Sequence, residues 1–256
     1  GLVGSEMCIR DRAYISIHNM AAWMVATWGS ADVQAHWLGD LAAGRKFASY
    51  CLTEANAGSD AASIKTSAQR FADHYVINGA KAFISGAGDT DVLVVMARTG
   101  GSGPGGISAF VVPSDTPGVS FGKNETKMGW NSQATRAITF EDARIPAVNR
   151  LGDEGEGFAI AMRGLEGGRI NIAACSLGAA QATLDMSQRY LGEREQFDQP
   201  LADFQALQFR LADMATELVA ARQMVHKAAW ALDTDHAEKT AYCAMAKRFA
   251  TDVGFN

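Results

Sequence analysis

Long apolar runs, clustered positive charge and paired cysteines are all missing from this sequence. No stretch reaches the roughly 18 consecutive apolar residues of a membrane-spanning helix. Acidic residues outnumber basic ones, 28 to 23, and the net charge of -5 argues against a broad nucleic-acid surface. Because the four cysteines are far apart and form no C-x-x-C pair, we expect reduced thiols of an intracellular protein rather than disulfides or a zinc site. They are Cys8, Cys51, Cys175 and Cys243.

Motifs of the common catalytic classes are also absent. The sequence has no G-x-S-x-G, H-E-x-x-H or P-loop motif, and its five histidines do not pair at helical ligand spacing. Gly101–Gly106 satisfies G-x-G-x-x-G, but we predict a strand behind it instead of the helix that a dinucleotide site needs, and interpret it as a hairpin loop. Gly152, Gly155 and Gly157 could cradle a phosphate, but a connecting loop is the favoured interpretation.

The composition is that of a globular protein with a substantial core. The 256 residues are 48% hydrophobic and 20% charged, which allows one large domain or two small ones. The pattern predicts an α+β fold: N-terminal helices, a middle antiparallel β-barrel or sandwich, and an incomplete C-terminal bundle of the four-helix type. We expect residues 1–12 to be a non-native leader, and the three parts to span residues 13–45, 46–150 and 151–256.

Apolar periodicity predicts the helices. One face of a first helix carries residues spaced by three and four, Ser30 can cap a second helix, and Gly44 can end it. A sustained stripe of the bundle type recurs beyond Gly157, followed by a last helix from about Ala237. The predicted core positions of the first two helices are Ile17, Met20, Met24, Trp28, Trp37, Leu38 and Leu41. Those of the long stripe are Leu207, Leu211, Met214, Leu218, Ala221, Val225, Ala228 and Leu232.

Short β-runs fill the middle of the chain. Asn78-Gly79 tolerates the positive φ angles of a tight turn, so residues 74–77 and 80–84 are predicted to form a hairpin. Further strands are predicted at residues 91–98, 107–112 and 136–140.

Two loops at strand ends carry the residues that look functional. The first, Tyr50–Asp60, combines the Thr53 hydroxyl with small residues and Gly58-Ser59, which allow a ligand to approach the backbone closely. The second, Phe83–Gly86, places an aromatic ring near a hydroxyl. An aromatic residue with two hydroxyl donors suits a flat heteroaromatic ring, although a simple turn and a core Phe explain the same residues.

At these residues the sequence resembles the acyl-CoA dehydrogenase family. Tyr50–Glu54 with Gly58–Asp60 resembles the family's first flavin loop, and Phe83–Ser85 its second. Phe140–Asp142 with Pro146 is similar to the segment that leaves its β domain. The likeness extends from Ala13 to Asn256. Four runs are most similar to members that act on a short branched acyl chain: Ala13–Met20, Phe83–Gly88, Gly129–Gln133 and Gly167–Ala173. Ala55-Asn56 departs from the usual Pro-Gly of the first loop.

The resemblance implies non-covalently held FAD and an acyl-CoA substrate. Two sets of residues would contact FAD: one lining the isoalloxazine, the other reaching the FAD of a neighbouring subunit. The first set is Tyr50, Leu52, Thr53, Gly58, Ser59, Phe83, Ile84 and Ser85. The second set is Arg194, Phe197, Phe204 and Gln205. Ser59 and the helix residues Glu166, Gly167, Gly168 and Arg169 would contact the acyl-CoA.

The reaction implied is α,β-dehydrogenation of a thioester, with electrons passed to an electron-transfer flavoprotein by a homotetramer. In most members the catalytic base is a Glu that would lie beyond Asn256, and in a minority it precedes the helix Arg, where this chain has Gly168. Glu166 has a different offset, so no catalytic residue is assigned within the chain. The compartment implied is the cytoplasm of a bacterium or the mitochondrial matrix of a eukaryote. Three alternatives remain: a family member that acts on another short acyl chain, a flavin monooxygenase or nitroalkane oxidase on the same fold, and a non-enzymatic fragment.

Overall fold

The computed structural model of the chain describes residues 16–255. The expected leader, residues 1–12 with Cys8, and the predicted helix start at Ala13 lie outside the described residues. The chain divides into two compact units, with the boundary between Leu165 and Glu166.

The first unit begins with two helices, α1 at residues 16–28 and α2 at Ala31–Ala42. As predicted, the Ser30 hydroxyl accepts a hydrogen bond from the Val33 N–H at 3.3 Å and caps α2. The chain turns away after the helix at Gly44, which has a φ of 65°. The predicted apolar face is confirmed, since Met20, Met24, Trp37 and Leu41 are buried. Ile17 and Trp28 pack partly against the same core.

A mixed sheet of eight strands follows in this unit. Its strands are β1 Ala48–Cys51, β2 Ser67–Arg70, β3 His74–Ser85, β4 Val92–Arg98, β5 Ile107–Pro113, β6 Val119–Phe121, β7 Thr135–Pro146 and β8 Arg150–Leu151. The order along the sheet is β6-β7-β3-β2-β4-β5-β8, with β1 also paired to β4. The predicted fold class is confirmed. Most neighbours are antiparallel, as expected, but β1 and β2 each pair with β4 in parallel.

The predicted hairpin at Asn78-Gly79 is wrong. The two residues lie within β3, a single strand of 12 residues that pairs with β2 along one edge and β7 along the other. Gly79 uses its positive φ of 141° at a β-bulge, and a Cβ there would lie 2.7 Å from the Thr66 Cα. The Asn78 amide bonds the backbone and side chain of Asp142 on β7. Pairing with two neighbouring strands therefore outweighs the local turn preference of Asn-Gly.

Strand β4 is buried on both faces, which explains its unbroken apolar sequence. Val92, Val94 and Met96 face a core shared with the helices, whereas the alternate residues face a second core. The second core also collects side chains from β1, β2, β3, β5 and β7, so the sheet curls over its own apolar face. The loop Gly101–Gly106 connects β4 to β5 through a short 3-10 turn and precedes a strand, as predicted.

The second unit is helical. Helix α3 spans Gly157–Glu193, and its residues from Glu166 onward belong to this unit. Helix α4 spans Gln205–Asp233 and α5 spans Lys239–Phe255, with a small hairpin of β9 Glu195–Gln196 and β10 Gln199–Pro200 between α3 and α4. The predicted stripe of α4 is confirmed: Leu218, Ala221, Val225 and Ala228 are buried, and they meet Cys243, Ala246 and Ala250 of α5 in one core. The last helix begins two residues later than the predicted Ala237.

A glycine fixes where α3 begins against the sheet. A Cβ at Gly157 would lie 2.3 Å from the carbonyl carbon of Ser108 on β5. This atom belongs to the backbone of the strand, so it cannot move aside as a flexible side chain could. We therefore expect Gly157→Ala to lower the free energy of unfolding of the first unit by about 1–3 kcal/mol, as overpacking does. Gly192→Ala in the same helix is the control, because nothing lies within 4 Å of its added Cβ; it should change stability by less than about 1 kcal/mol. Equal urea midpoints for both variants would contradict this account.

Candidate functional site

The first predicted loop leaves the sheet where β1 ends. Leu52 is buried, Thr53 is half-buried, and Gly58 and Ser59 are exposed. Glu54 and Ala57 exchange backbone hydrogen bonds of 3.1 Å and close a tight turn between them. Tyr50, one residue before the strand end, packs against the helix-side core and donates its hydroxyl to the Ala161 carbonyl at 3.4 Å. Burial raises the pKa of its phenol, so Tyr50 is a neutral donor.

The second predicted loop lies at the end of β3. The pairing with β7 shifts register between Lys81 and Ile84, and this irregularity turns Phe83 out of the sheet. Phe83 has a φ of 57° and is 65% exposed, whereas Ile84 beside it is buried. The Ser85 hydroxyl is half-buried and accepts a hydrogen bond from the Gln133 amide at 3.3 Å.

Two hydrogen bonds bring these loops together. The Ala82 N–H donates to the Thr53 carbonyl at 2.9 Å, and the Ser49 hydroxyl donates to the Ser85 carbonyl at 2.7 Å. The first bond joins two backbone groups and the second joins the Ser49 side chain to a backbone carbonyl, so together they hold the two strand ends at a fixed spacing. The Thr53 and Ser85 segments thus lie side by side.

A third segment, which the sequence analysis noted only as a family-like run, adjoins the second loop. A cavity of about 410 Å³ is lined by Ser85 and by Lys127, Gly129, Trp130, Gln133 and Thr135. The Lys127 ammonium holds this segment by donating to the carbonyls of Trp130 and Gln133 and to the Thr135 hydroxyl at 2.7–2.9 Å. In the sequence this segment is visible as the run Gly129–Gln133, in which Trp130 is followed by polar residues a few positions before β7.

Among the described residues, the Gln133 Oε1 atom is buried without a hydrogen-bond partner. The amide nitrogen of the same side chain donates a hydrogen bond to the Ser85 hydroxyl. A buried acceptor left unpaired next to a cavity marks a place where a ligand donor would be favourable.

A buried ion pair lies under the first loop, and sequence reasoning missed it. The Lys81 ammonium donates to Glu54 at 2.8 Å and to the Leu52 carbonyl at 3.0 Å. Burial lowers the pKa of Lys81, and the Glu54 carboxylate opposes that shift. Burial would raise the pKa of Glu54, but the Lys65 backbone N–H and the Lys81 ammonium together hold it below its usual value. A lysine within an alternating strand gives no sequence signal that it points inward.

The site offers binding groups rather than a protein nucleophile. Burial raises the pKa of the Cys51 thiol to about 12, so this cysteine stays protonated at neutral pH. Within residues 16–255, no group of three or more His, Cys, Asp or Glu side chains is placed to hold a metal ion. None of the helices in that range combines the length and apolar character needed to cross a bilayer.

The predicted substrate residues of the second unit lie on α3. Glu166 is buried and accepts a hydrogen bond from the Thr240 hydroxyl of α5, while Gly167, Gly168 and Arg169 are half-buried. Burial raises the pKa of the nearby Cys243 thiol, and the Glu166 carboxylate adds to that shift. The Glu166 carboxylate is therefore engaged in a hydrogen bond within the protein.

The remaining predicted residues cluster at the β9–β10 hairpin. Phe197 and Asp198 form its two-residue turn with φ angles of 56° and 60°, the conformation of a type I′ turn. Phe197 is 87% exposed, and its ring lies 6.2 Å from that of Phe204, which precedes Gln205 at the start of α4. Arg194 is exposed and its carbonyl accepts the Leu201 N–H at 2.8 Å. The structure thus brings these residues to one exposed corner.

The sequence matches two family profiles. Residues 49–143 match the profile described as acyl-CoA dehydrogenase, middle domain, and residues 155–256 match the one described as acyl-CoA dehydrogenase, C-terminal domain. The first covers both loops, and the second covers α3 and the hairpin corner.

Individual relatives agree with this match. Isobutyryl-CoA dehydrogenase, mitochondrial, of Bos taurus is 56% identical over 248 residues, which are 97% of this chain and 60% of the bovine protein. The caffeyl-CoA reductase-Etf complex subunit CarC of Acetobacterium woodii is 41% identical over 94% of this chain and 64% of its own length. The structure of butyryl-CoA dehydrogenase from Megasphaera elsdenii superimposes with a TM-score of 0.88 at 40% identity, over 94% of this chain and 63% of that protein.

This chain spans only about 60% of the length of the bovine protein. Within that span, however, the two profiles account for both candidate segments and the pairwise identities are high. The chain belongs to the acyl-CoA dehydrogenase family.

Proposed function

We propose that this chain forms the FAD- and acyl-CoA-binding part of an enzyme that oxidises isobutyryl-CoA to methacrylyl-CoA, a step of valine catabolism. The observation that carries the proposal is the side-by-side placement of the Thr53 and Phe83–Ser85 segments at two adjoining strand ends. The choice of acyl chain rests on the 56% identity to the bovine isobutyryl-CoA dehydrogenase.

The residues present fit FAD, the cofactor of this family. An isoalloxazine ring has a flat apolar part and an edge of carbonyl and nitrogen acceptors, so it needs an aromatic or aliphatic face beside hydrogen-bond donors. Phe83 offers an exposed ring, and Thr53 and Ser85 offer hydroxyls next to it. Tyr50, Leu52, Ile84, Gly58 and Ser59 complete this proposed set. When bound, FAD supplies the acceptor for the hydride that leaves the β-carbon.

The substrate would lie along the start of the second unit. Glu166–Arg169 and Ser59 are proposed to contact the acyl-CoA, with the two glycines leaving room for the thioester chain. Nothing lies within 4 Å of a Cβ added to Gly167. Gly168 carries no carboxylate, and Glu166 is engaged with Thr240, so we propose that a Glu beyond Asn256 removes the α-proton.

A second subunit and an electron acceptor complete the proposed enzyme. The corner formed by Arg194, Phe197, Phe204 and Gln205 would contact the FAD of a neighbouring subunit in a homotetramer. A guanidinium suits a pyrophosphate because it donates charge-assisted hydrogen bonds. We propose electron-transfer flavoprotein as the acceptor, in keeping with the name of the A. woodii relative. For a eukaryotic source we propose the mitochondrial matrix; the bovine relative's name, which says only mitochondrial, supports the organelle.

Anaerobic titration with acyl-CoA tests this function. With the chain completed at its C-terminus by the bovine segment and loaded with FAD, isobutyryl-CoA should bleach the visible flavin band, because hydride transfer reduces the ring. Butyryl-CoA and isovaleryl-CoA should bleach it markedly less. Equal bleaching by all three would contradict the substrate assignment. A flavin band that responds to no acyl-CoA would contradict the dehydrogenase and favour an oxidase, a monooxygenase or a non-enzymatic chain.

A matched pair of phenylalanines tests the cofactor loop. Phe83→Ala should weaken FAD binding about two- to tenfold, the loss expected for one aromatic contact. Phe71→Ala is the control, because Phe71 is 43% exposed but stacks on His74 in the β2–β3 turn. Fluorescence titration of FAD gives both affinities. The assignment of Phe83 fails if the two variants bind FAD equally well.

A further inference from the structure

Lys81 is the most buried charged side chain among the described residues of the first unit. It is 1% exposed, although it stands in β3 between two more exposed neighbours, Ala80 and Ala82. Its ammonium donates to the Leu52 carbonyl and to the Glu54 carboxylate, and both belong to the first loop. A buried ammonium needs such partners, because desolvation otherwise makes its charge costly. The loop is therefore tied to the position of this one atom.

Glu54 holds the ammonium in place. Besides Lys81, its carboxylate accepts the backbone N–H of Lys65 at 2.7 Å and of Thr66 at 3.0 Å. Residues 65 and 66 lead directly into β2, so the carboxylate is anchored to the segment that enters this strand as well as to Lys81. Three donors on one carboxylate leave it little freedom to rotate.

The bond to Leu52 fixes the direction of the next N–H. In a trans peptide the C=O and the following N–H point in opposite directions, and residues 16–255 contain no cis peptide. Since the Leu52 carbonyl points at Lys81, the Thr53 N–H points away from it. No hydrogen bond from this N–H is found within the described residues. The Thr53 carbonyl, in contrast, is occupied by Ala82.

We infer that Lys81 is a positioning residue for the flavin: by binding the Leu52 carbonyl, it directs the Thr53 N–H toward the polar edge of the ring. The inference rests on the proposed function, because it needs FAD at this loop. It assigns Lys81 a role beyond charge balance with Glu54. Removing Lys81 would free the Leu52–Thr53 peptide to rotate and would leave the flavin edge without a fixed donor.

The test separates this role from a purely structural one. Lys81→Met alone leaves the Glu54 carboxylate buried without its cation, so it should also destabilise the fold. The variant Lys81→Met with Glu54→Gln removes both charges, while the Gln oxygen can still accept from Lys65 and Thr66. Glu54→Gln alone is the reference, because it keeps the ammonium on the Leu52 carbonyl. The readouts are FAD affinity, the visible flavin spectrum and the melting temperature of the FAD-loaded protein.

We expect the double variant to melt close to the Glu54→Gln reference but to bind FAD about tenfold or more weakly than it, with an altered flavin band. Lys65→Met is the charge control, because the Lys65 side chain is exposed and only the backbone of this residue contacts Glu54. Its FAD affinity should stay within about twofold of the unsubstituted protein.

Should the double variant not fold, Lys81→Arg keeps a donor to Leu52 and should retain FAD affinity within about threefold.

Equal FAD affinity and spectra for the double variant and its reference would overturn the inference and leave Lys81 a structural residue. A loss of about tenfold in folded Lys81→Arg would overturn it as well. If the unsubstituted protein binds no FAD, the proposed function fails, and this inference falls with it.

Discussion

A buried ammonium ion joins strand β3 to the loop that leaves β1, and the geometry of the candidate site follows from it. Lys81 has its charge solvated by one carbonyl and one carboxylate, both supplied by residues 52–54. Taking such a charge out of water costs several kcal/mol unless those partners stay in place, so the loop cannot drift from the strand without exposing the ion or leaving it unpaired. The backbone bond from Ala82 to Thr53 reinforces the same spacing. Two segments far apart in sequence are thereby held as one surface.

Exposed aromatic residues in left-handed backbone mark the candidate site and the hairpin corner. Phe83, Trp130 and Phe197 have φ angles of 57°, 53° and 56°, and each is more than half exposed. An L-residue with a large side chain adopts this conformation at a cost of about 1–3 kcal/mol, and here the described residues recover little of it by burying the ring. Phe83 and Phe197 lie in segments proposed to meet FAD, and Trp130 lines the cavity beside Ser85. The backbone strain at these residues is explained if a bound ligand, rather than the protein core, covers each aromatic ring.

The helices were predictable because their cores depend on local periodicity. Ser30 caps α2, and the stripe from Leu211 to Leu232 forms the seam of α4 as the spacing indicates. The loops that carry Thr53 and Ser85 were also identified, but their adjacency depends on a parallel pairing of β1 with β4 that local sequence does not encode. The hairpin predicted at Asn78-Gly79 was wrong because the turn preference of two residues carries no information about strand pairing, and β3 pairs with neighbours on both edges. Lys81 and Lys127 were missed because a lysine is ordinarily exposed to solvent, and only the tertiary structure shows which groups each ammonium binds.

The central claim is that the segments around Thr53 and Phe83–Ser85 together hold the flavin, while the glycine-rich loop Gly101–Gly106 does not. Hydrogen–deuterium exchange, followed by mass spectrometry with and without FAD, tests it most directly. The account predicts slower exchange in residues 52–59 and 83–86 when FAD is present, because the ligand covers their backbone N–H groups, and unchanged exchange in residues 100–106. Protection confined to residues 100–106, with none at the two strand ends, would contradict it.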